Sequence, residues 1–156
     1  DIATFEQLCN RAKVLAKAGK FEDAVTLLEA AERLYSGELF EDMPPAYYEN
    51  DMENWVMPKR EWFRDMALKV LGDKAAILRQ QGQFRDALAS CQKALQMDAV
   101  CEIAHAEAMR IFHAQKRSDA ILRQYRQYQS AMEAMDLEPE TDGLEKLRTE
   151  LINSVS

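Results

Sequence analysis

Two segments determine the fold: Gly82-Gln83-Phe84-Arg85-Asp86-Ala87-Leu88 and, after three intervening residues, Gln92-Lys93-Ala94-Leu95-Gln96-Met97-Asp98. Gly82 can adopt the left-handed backbone conformation that ends a helix, because it has no Cβ to clash. After it, apolar and small side chains recur at helical spacing and form one stripe: Ala87, Leu88, Cys91, Ala94 and Leu95. These residues predict a tight turn between two helices, followed by the second helix of a helical hairpin.

The same turn sequence occurs earlier in the chain, as Gly19-Lys20-Phe21-Glu22-Asp23-Ala24. Ala24 and Ala87 are 63 residues apart, and Ala87 and Ala120 are 33 residues apart. Two further sets share both offsets: Ala12, Ala75 and Ala108, and Leu15, Leu78 and Ile111. In the third copy, Gln115-Lys116-Arg117-Ser118 replaces the glycine and phenylalanine of the turn. Helical hairpins at this spacing resemble tetratricopeptide repeats, whose period is about 34 residues.

The pattern predicts an all-α fold: three helical hairpins stacked into a short tetratricopeptide-like right-handed superhelix, plus a C-terminal capping helix. Each hairpin has an apolar face that it cannot bury alone, so a neighbouring hairpin must cover it. The fourth helix is the stretch quoted first, and the other predicted helices span about residues 4–18, 21–35, 59–81, 100–114, 118–135 and 142–153. We expect one domain over residues 1–156. Because the sequence begins at Asp1 rather than Met, we expect a fragment of a longer protein.

An insertion at about residues 36–57 interrupts the repeat and explains the longer first offset. It contains Pro44-Pro45 and the aromatic residues Tyr47, Tyr48 and Trp55, interleaved with acidic residues. Long loops in compact domains are usually functional or packed by their own side chains. We favour aromatic side chains that pin the loop onto the helices. The alternative is an anchor for a partner, since aromatic residues concentrate at binding hot spots.

Composition restricts the kinds of partner. The formal net charge is −7, whereas non-specific nucleic-acid affinity comes mostly from Lys and Arg that neutralise phosphates. There is no run of 18 apolar residues that would indicate a membrane span. The odd set of three cysteines, Cys9, Cys91 and Cys101, has no close pair and indicates reduced thiols in a cytoplasmic protein, with Cys91 in the core.

Two further segments indicate a family. The first runs from Ala30 to Asp42, includes Leu34-Tyr35-Ser36-Gly37-Glu38-Leu39, and is followed by Trp55 and Lys59-Arg60-Glu61. The second runs from Ala120 to Gln129 and continues at Asp136-Leu137-Glu138-Pro139-Glu140-Thr141. With the middle hairpin, they resemble the bacterial transcriptional activator domain, a helical domain found beside a winged-helix DNA-binding domain in antibiotic-pathway and related regulators. The segment between Asp42 and Trp55 is longer than the family's usual form.

The resemblance implies a protein-interaction and regulatory domain of a bacterial transcription regulator, in a fragment that lacks the N-terminal DNA-binding domain. The implied partners are that DNA-binding domain, a second copy in a homodimer, or the transcription machinery. No direct nucleic-acid contact and no membrane contact are expected. The alternative function is a sensor that binds a small molecule or peptide in its groove or under the insertion. Gly72 in the middle of the third helix, together with the aromatic insertion, motivates that alternative.

In tetratricopeptide-like proteins the first helix of each hairpin lines the groove, which gives a set of candidate residues by position. The set is Cys9, Lys13, Lys17, Lys69, Gly72, Ala76, Arg79, His105, Met109, Phe112 and His113. Its cationic members favour an acidic partner or a C-terminal carboxylate. The simpler interpretation is solvated charge on ordinary helices.

Catalytic, cofactor and metal sites are not indicated. His105 and His113 are eight residues apart on one helix, too far for the i, i+4 pair of a zinc motif, and no cysteine pair completes a set. The acidic residues of the insertion lack the pattern of a calcium-binding loop. No glycine-rich phosphate loop and no serine elbow is present. We therefore expect a protein that is not an enzyme and has no cofactor.

Overall fold

Seven helices and no strand are found in a computed structural model of the chain, which describes residues 2–37, 57–138 and 143–154. They are α1 (Ile2–Lys17), α2 (Phe21–Gly37), α3 (Met57–Gln80), α4 (Phe84–Met97), α5 (Glu102–Ala114), α6 (Ser118–Ala134) and α7 (Leu144–Ser154). The prediction of an all-α fold is confirmed over these residues, and each predicted helix is present within a few residues of its expected bounds. The superhelical arrangement stays a prediction. No helix of the described part is long and apolar enough to cross a membrane.

The first of two compact units comprises Asp1–Val70. Within it, α1 and α2 pack against each other as a hairpin. Phe5 of α1 and Phe63 of α3 are fully buried, and their rings meet edge to face with centroids 6.1 Å apart. Ala12 and Ala24 are also buried, which places the small residues of the first repeat between helices as expected.

The second unit comprises Leu71–Ser156 and therefore begins within α3. The Ser90 hydroxyl of α4 donates to the Leu71 carbonyl of α3 at 2.8 Å, which fixes these two helices close together. Further along, α5 packs on α4, α6 packs on α5, and α7 packs on both α5 and α6. The last three helices share one apolar cluster, formed by Met109, Ile121, Tyr125, Tyr128, Met132 and Leu144. Leu144 thus places the C-terminal helix as a cap on this core.

The three hairpin turns share one hydrogen-bond pattern. A residue with positive φ donates its N–H to the carbonyl three residues before, and the next residue donates to the carbonyl five residues before, as in a Schellman motif. Gly19 (φ 80°) and Gly82 (φ 77°) hold this position in the first two turns. In the third, Lys116 holds it with a φ of 59°, and its N–H bonds the His113 carbonyl at 2.9 Å. The turn without glycine therefore keeps the geometry of the other two.

The turn geometry corrects the offset of the third repeat. Lys116 follows Gly82 by 34 residues, one more than the spacing of Ala87 and Ala120. The N–H of Ala87 bonds the Gln83 carbonyl, and the corresponding bond in the third hairpin joins Ile121 to Arg117. Ile121 is therefore the counterpart of Ala87, although Ala120 beside it is buried too. The larger isoleucine is accommodated because it lies in the apolar cluster that α7 completes.

Candidate partner-binding face

The candidates in the first unit lie on α1 and α3. Lys13 and Lys17 are exposed on α1, and Lys69 is half-buried on α3. On α1, Val14 is 67% exposed, and with Asn10, Arg11 and Leu15 it lines an open depression of about 260 Å³. Cys9, which sequence position assigned to the groove, is buried in the core. These placements leave the two α1 lysines available to solvent.

Two candidates in the second unit belong to the core. His105 and Met109 are both 0% exposed. Met109 lies in the apolar cluster of α5, α6 and α7, and the His105 ring packs edge to face on Tyr128 with centroids 5.2 Å apart. The prediction that these two side chains line a groove is therefore corrected. Neighbouring helices cover α5 on more than one side, and a buried side chain cannot contact a partner.

The hydrogen bonds of His105 determine its tautomer. Its Nε2 lies 2.8 Å from the Ala99 carbonyl oxygen, which can only accept, so Nε2 carries the proton. Its Nδ1 then accepts from the Gln124 amide at 2.8 Å. Burial lowers the pKa of His105 below its ordinary value, because desolvation disfavours the imidazolium. His105 is thus a neutral, fully bonded residue that joins the start of α5 to α6.

Two aromatic candidates lie near the end of α5, Phe112 and His113. Phe112 is half-buried against the apolar cluster, and the Arg117 guanidinium lies over its ring at 5.4 Å. His113 is half-buried, and its Nε2 lies 2.8 Å from the Ser154 hydroxyl of α7. Both side chains are therefore engaged within the unit, and their exposed edges are all that a partner could contact.

Arg79 is half-exposed and takes part in a charged cluster that spacing did not indicate. Its Nε donates to Glu107 Oε2 at 3.1 Å, and Arg110 Nη1 donates to Glu107 Oε1 at 2.8 Å. The Glu107 side chain is only 8% exposed. The i, i+3 spacing of Glu107 and Arg110 is a signal that sequence analysis can detect. The approach of Arg79 depends on the packing of α3 against α5, which sequence analysis cannot detect.

Gly72, together with the aromatic insertion, motivates the alternative of a small-molecule site. A Cβ built on Gly72 would overlap Cγ2 of Ile103, so the space beside it is filled by a side chain of α5. Gly72 is thus explained by a close contact between α3 and α5 and no longer supports a ligand site. Ala76, one turn further along α3, is half-buried.

The insertion anchor of Tyr47, Tyr48 and Trp55 lies outside the described residues. Cys9, Cys91 and Cys101 are buried, and none of them forms a disulfide with another described residue. Burial is the largest cause that raises the pKa of Cys91, to about 12, and the Glu107 carboxylate raises it further. Cys91 is therefore a core residue without thiolate character, as its position on the α4 stripe predicted.

Comparison with known families gives one match. A family model described as "Bacterial transcriptional activator domain" matches residues 1–151. A search of curated proteins found no match, and a search of solved structures also found none. The family match covers nearly the whole chain and includes the repeat, the insertion and both segments on which the resemblance was based.

Proposed function

Because the chain belongs to the bacterial transcriptional activator domain family, we propose that it regulates transcription through protein contacts rather than through contacts to DNA. The family is regulatory rather than enzymatic. The match over residues 1–151 is the observation that carries the proposal. The net charge of −7 supports it, because an acidic chain is repelled by the phosphate backbone.

The proposed contacts are with the DNA-binding domain of the same regulator, with a second copy of the chain, or with the transcription machinery. An acidic partner is supported by the partly exposed cationic side chains of α3 and α5, which are Lys69, Arg79 and Arg110. The exposed lysines of α1, Lys13 and Lys17, support it too. Charge complementarity of this kind speeds association and selects among partners more than it raises affinity.

A gel shift and a sedimentation experiment on residues 1–156 test the proposal. With duplex DNA at physiological salt, we expect no shifted band at up to about 10 µM protein, a range in which basic non-specific binders already associate. Sedimentation equilibrium then reports whether the chain associates with itself. Tight DNA binding by this fragment alone would contradict the proposal.

A further inference from the structure

Glu107, Arg79 and Arg110 form what we call the two-arginine cluster, at the contact of α3 and α5. The Glu107 carboxylate is nearly buried, and each of its oxygens accepts one bond from one arginine, at 3.1 Å from Arg79 and at 2.8 Å from Arg110. One carboxylate thus binds guanidinium groups from two helices. Their positions are fixed before any ligand arrives, which lowers the entropic cost of binding.

Most N–H donors of these two arginines have no partner among the described residues. A guanidinium carries five N–H groups, and each arginine spends one on Glu107. Among the described residues, neither side chain has another hydrogen bond or ion pair. The Arg79 and Arg110 side chains are 26% and 40% exposed. The cluster therefore presents an accessible array of oriented N–H donors.

The charge of the cluster selects the class of ligand. Two guanidinium groups and one carboxylate sum to +1, which one carboxylate of a partner neutralises. A phosphate dianion in contact with the cluster would bring two negative charges beside the nearly buried Glu107, whereas each carboxylate of a peptide brings one. Arginine forks match the planar geometry of a carboxylate and bind it through two parallel bonds.

We propose that the two-arginine cluster is a binding site for an Asp or Glu carboxylate of an acidic peptide segment in a partner protein. This inference rests on the proposed function and specifies the chemistry of the partner. Arg79 and Arg110 contact the incoming carboxylate, and Glu107 is a positioning residue that holds both arginines.

The test is a titration of ¹⁵N-labelled full chain, followed through the arginine Nε–H resonances. The probes are an acidic peptide, acetyl-Glu-Glu-Asp-Glu-amide, its glutamine and asparagine counterpart, and inorganic phosphate. We expect saturable shifts of Arg79 and Arg110 with the acidic peptide only. Arg110→Gln should weaken binding by about 10-fold or more, the range for a lost charge-assisted hydrogen bond.

Arg123→Gln is the matched control. Arg123 also pairs with a carboxylate, that of Asp119, but the pair is exposed on α6, so its loss should leave peptide affinity unchanged. Arg110→Lys keeps the charge without the fork and should bind more weakly than the parent. Urea unfolding of each variant verifies that it folds.

Four results would overturn the site: no saturable shift at millimolar peptide, equal binding of the uncharged peptide, equal loss in Arg123→Gln, or tighter binding of phosphate than of the peptide. Failure of the site is distinguishable from failure of the proposed function. If the chain regulates transcription but does not bind the peptide, the proposed binding site is wrong and the proposed function is kept.

Discussion

At the scale of the residue, His105 shows how a polar side chain becomes part of a core. Its two ring nitrogens are both satisfied, one by the Ala99 carbonyl and one by the Gln124 amide. A buried polar group that has its hydrogen bonds costs little, whereas one that loses them costs about 1–3 kcal/mol. The helical position of His105 is compatible with a groove or with a core, and only the packing of α6 decides between them.

Protonation of His105 should destabilise the protein. Its pKa is lowered in the folded state, so the unfolded chain binds the proton more tightly. The stabilisation is therefore fully present above the ordinary pKa of about 6.5 and is lost as pH falls through the lower folded value. We expect the free energy of unfolding, measured in urea from pH 7.5 to 5.5, to decrease by at most about 1.4 kcal/mol per pH unit.

Two variants assign that effect. His105→Phe keeps a ring beside Tyr128 but leaves the Gln124 amide and the Ala99 carbonyl without partners, so it should lose about 1–3 kcal/mol at pH 7.5 and have a flatter pH dependence. His113→Gln, which alters the other histidine, should keep the decrease. An unchanged pH profile in His105→Phe would show that another group is responsible.

At the scale of the element, two of the three interhelical turns can be predicted from their residue types and the third cannot. Gly19 and Gly82 identify two turns, because glycine is the usual residue at positive φ. The third turn has the same hydrogen bonds around Lys116, whose φ of 59° is unfavourable for a residue with a Cβ. The turn is formed because the packing of α5 on α6 outweighs this cost. The sequence indicates only that this turn has no glycine.

Lys116→Gly should stabilise the protein by about 1 kcal/mol, because it removes the Cβ clash of the left-handed conformation. Gly82→Ala should destabilise it by a similar amount. Lys116→Ala keeps a Cβ and removes the charge, so it should leave stability nearly unchanged. Urea unfolding measures all three, and stabilisation by alanine equal to that by glycine would indicate charge rather than backbone strain.

The contact of Gly72 with Ile103 provides a second test at this scale. Gly72→Ala improves helix propensity by about 1 kcal/mol, but its Cβ would overlap the Ile103 methyl group Cγ2. We expect the single variant to be destabilised. In an Ile103→Ala background the same change should be stabilising, because the obstructing methyl group is gone. A double-mutant cycle of unfolding free energies measures the coupling, and a coupling of zero would contradict the contact.

At the scale of the whole molecule, periodicity is sufficient to predict the helices and their order, because small residues between packed helices recur at nearly constant spacing. The family is predicted by the resemblance of two further segments, which begin at Ala30 and at Ala120. Periodicity does not predict three features of the structure. The one-residue shift of the third repeat, the burial of His105 and the pairing of Arg79 with Glu107 all depend on how one helix lies on another. Contacts between distant positions leave no pattern in a single sequence.

We propose that this acidic helical chain regulates transcription by contacting protein. The most direct measurement fuses residues 1–156 to an unrelated DNA-binding domain and records reporter transcription in bacteria, with the unfused DNA-binding domain and a Leu144→Ala fusion for comparison. Leu144 is 4% exposed in the apolar cluster, so its loss should cost about 2–5 kcal/mol and reduce the effect. We predict that the parent fusion changes transcription several-fold. Reporter output equal to that of the unfused domain, at matched protein levels, would contradict the account.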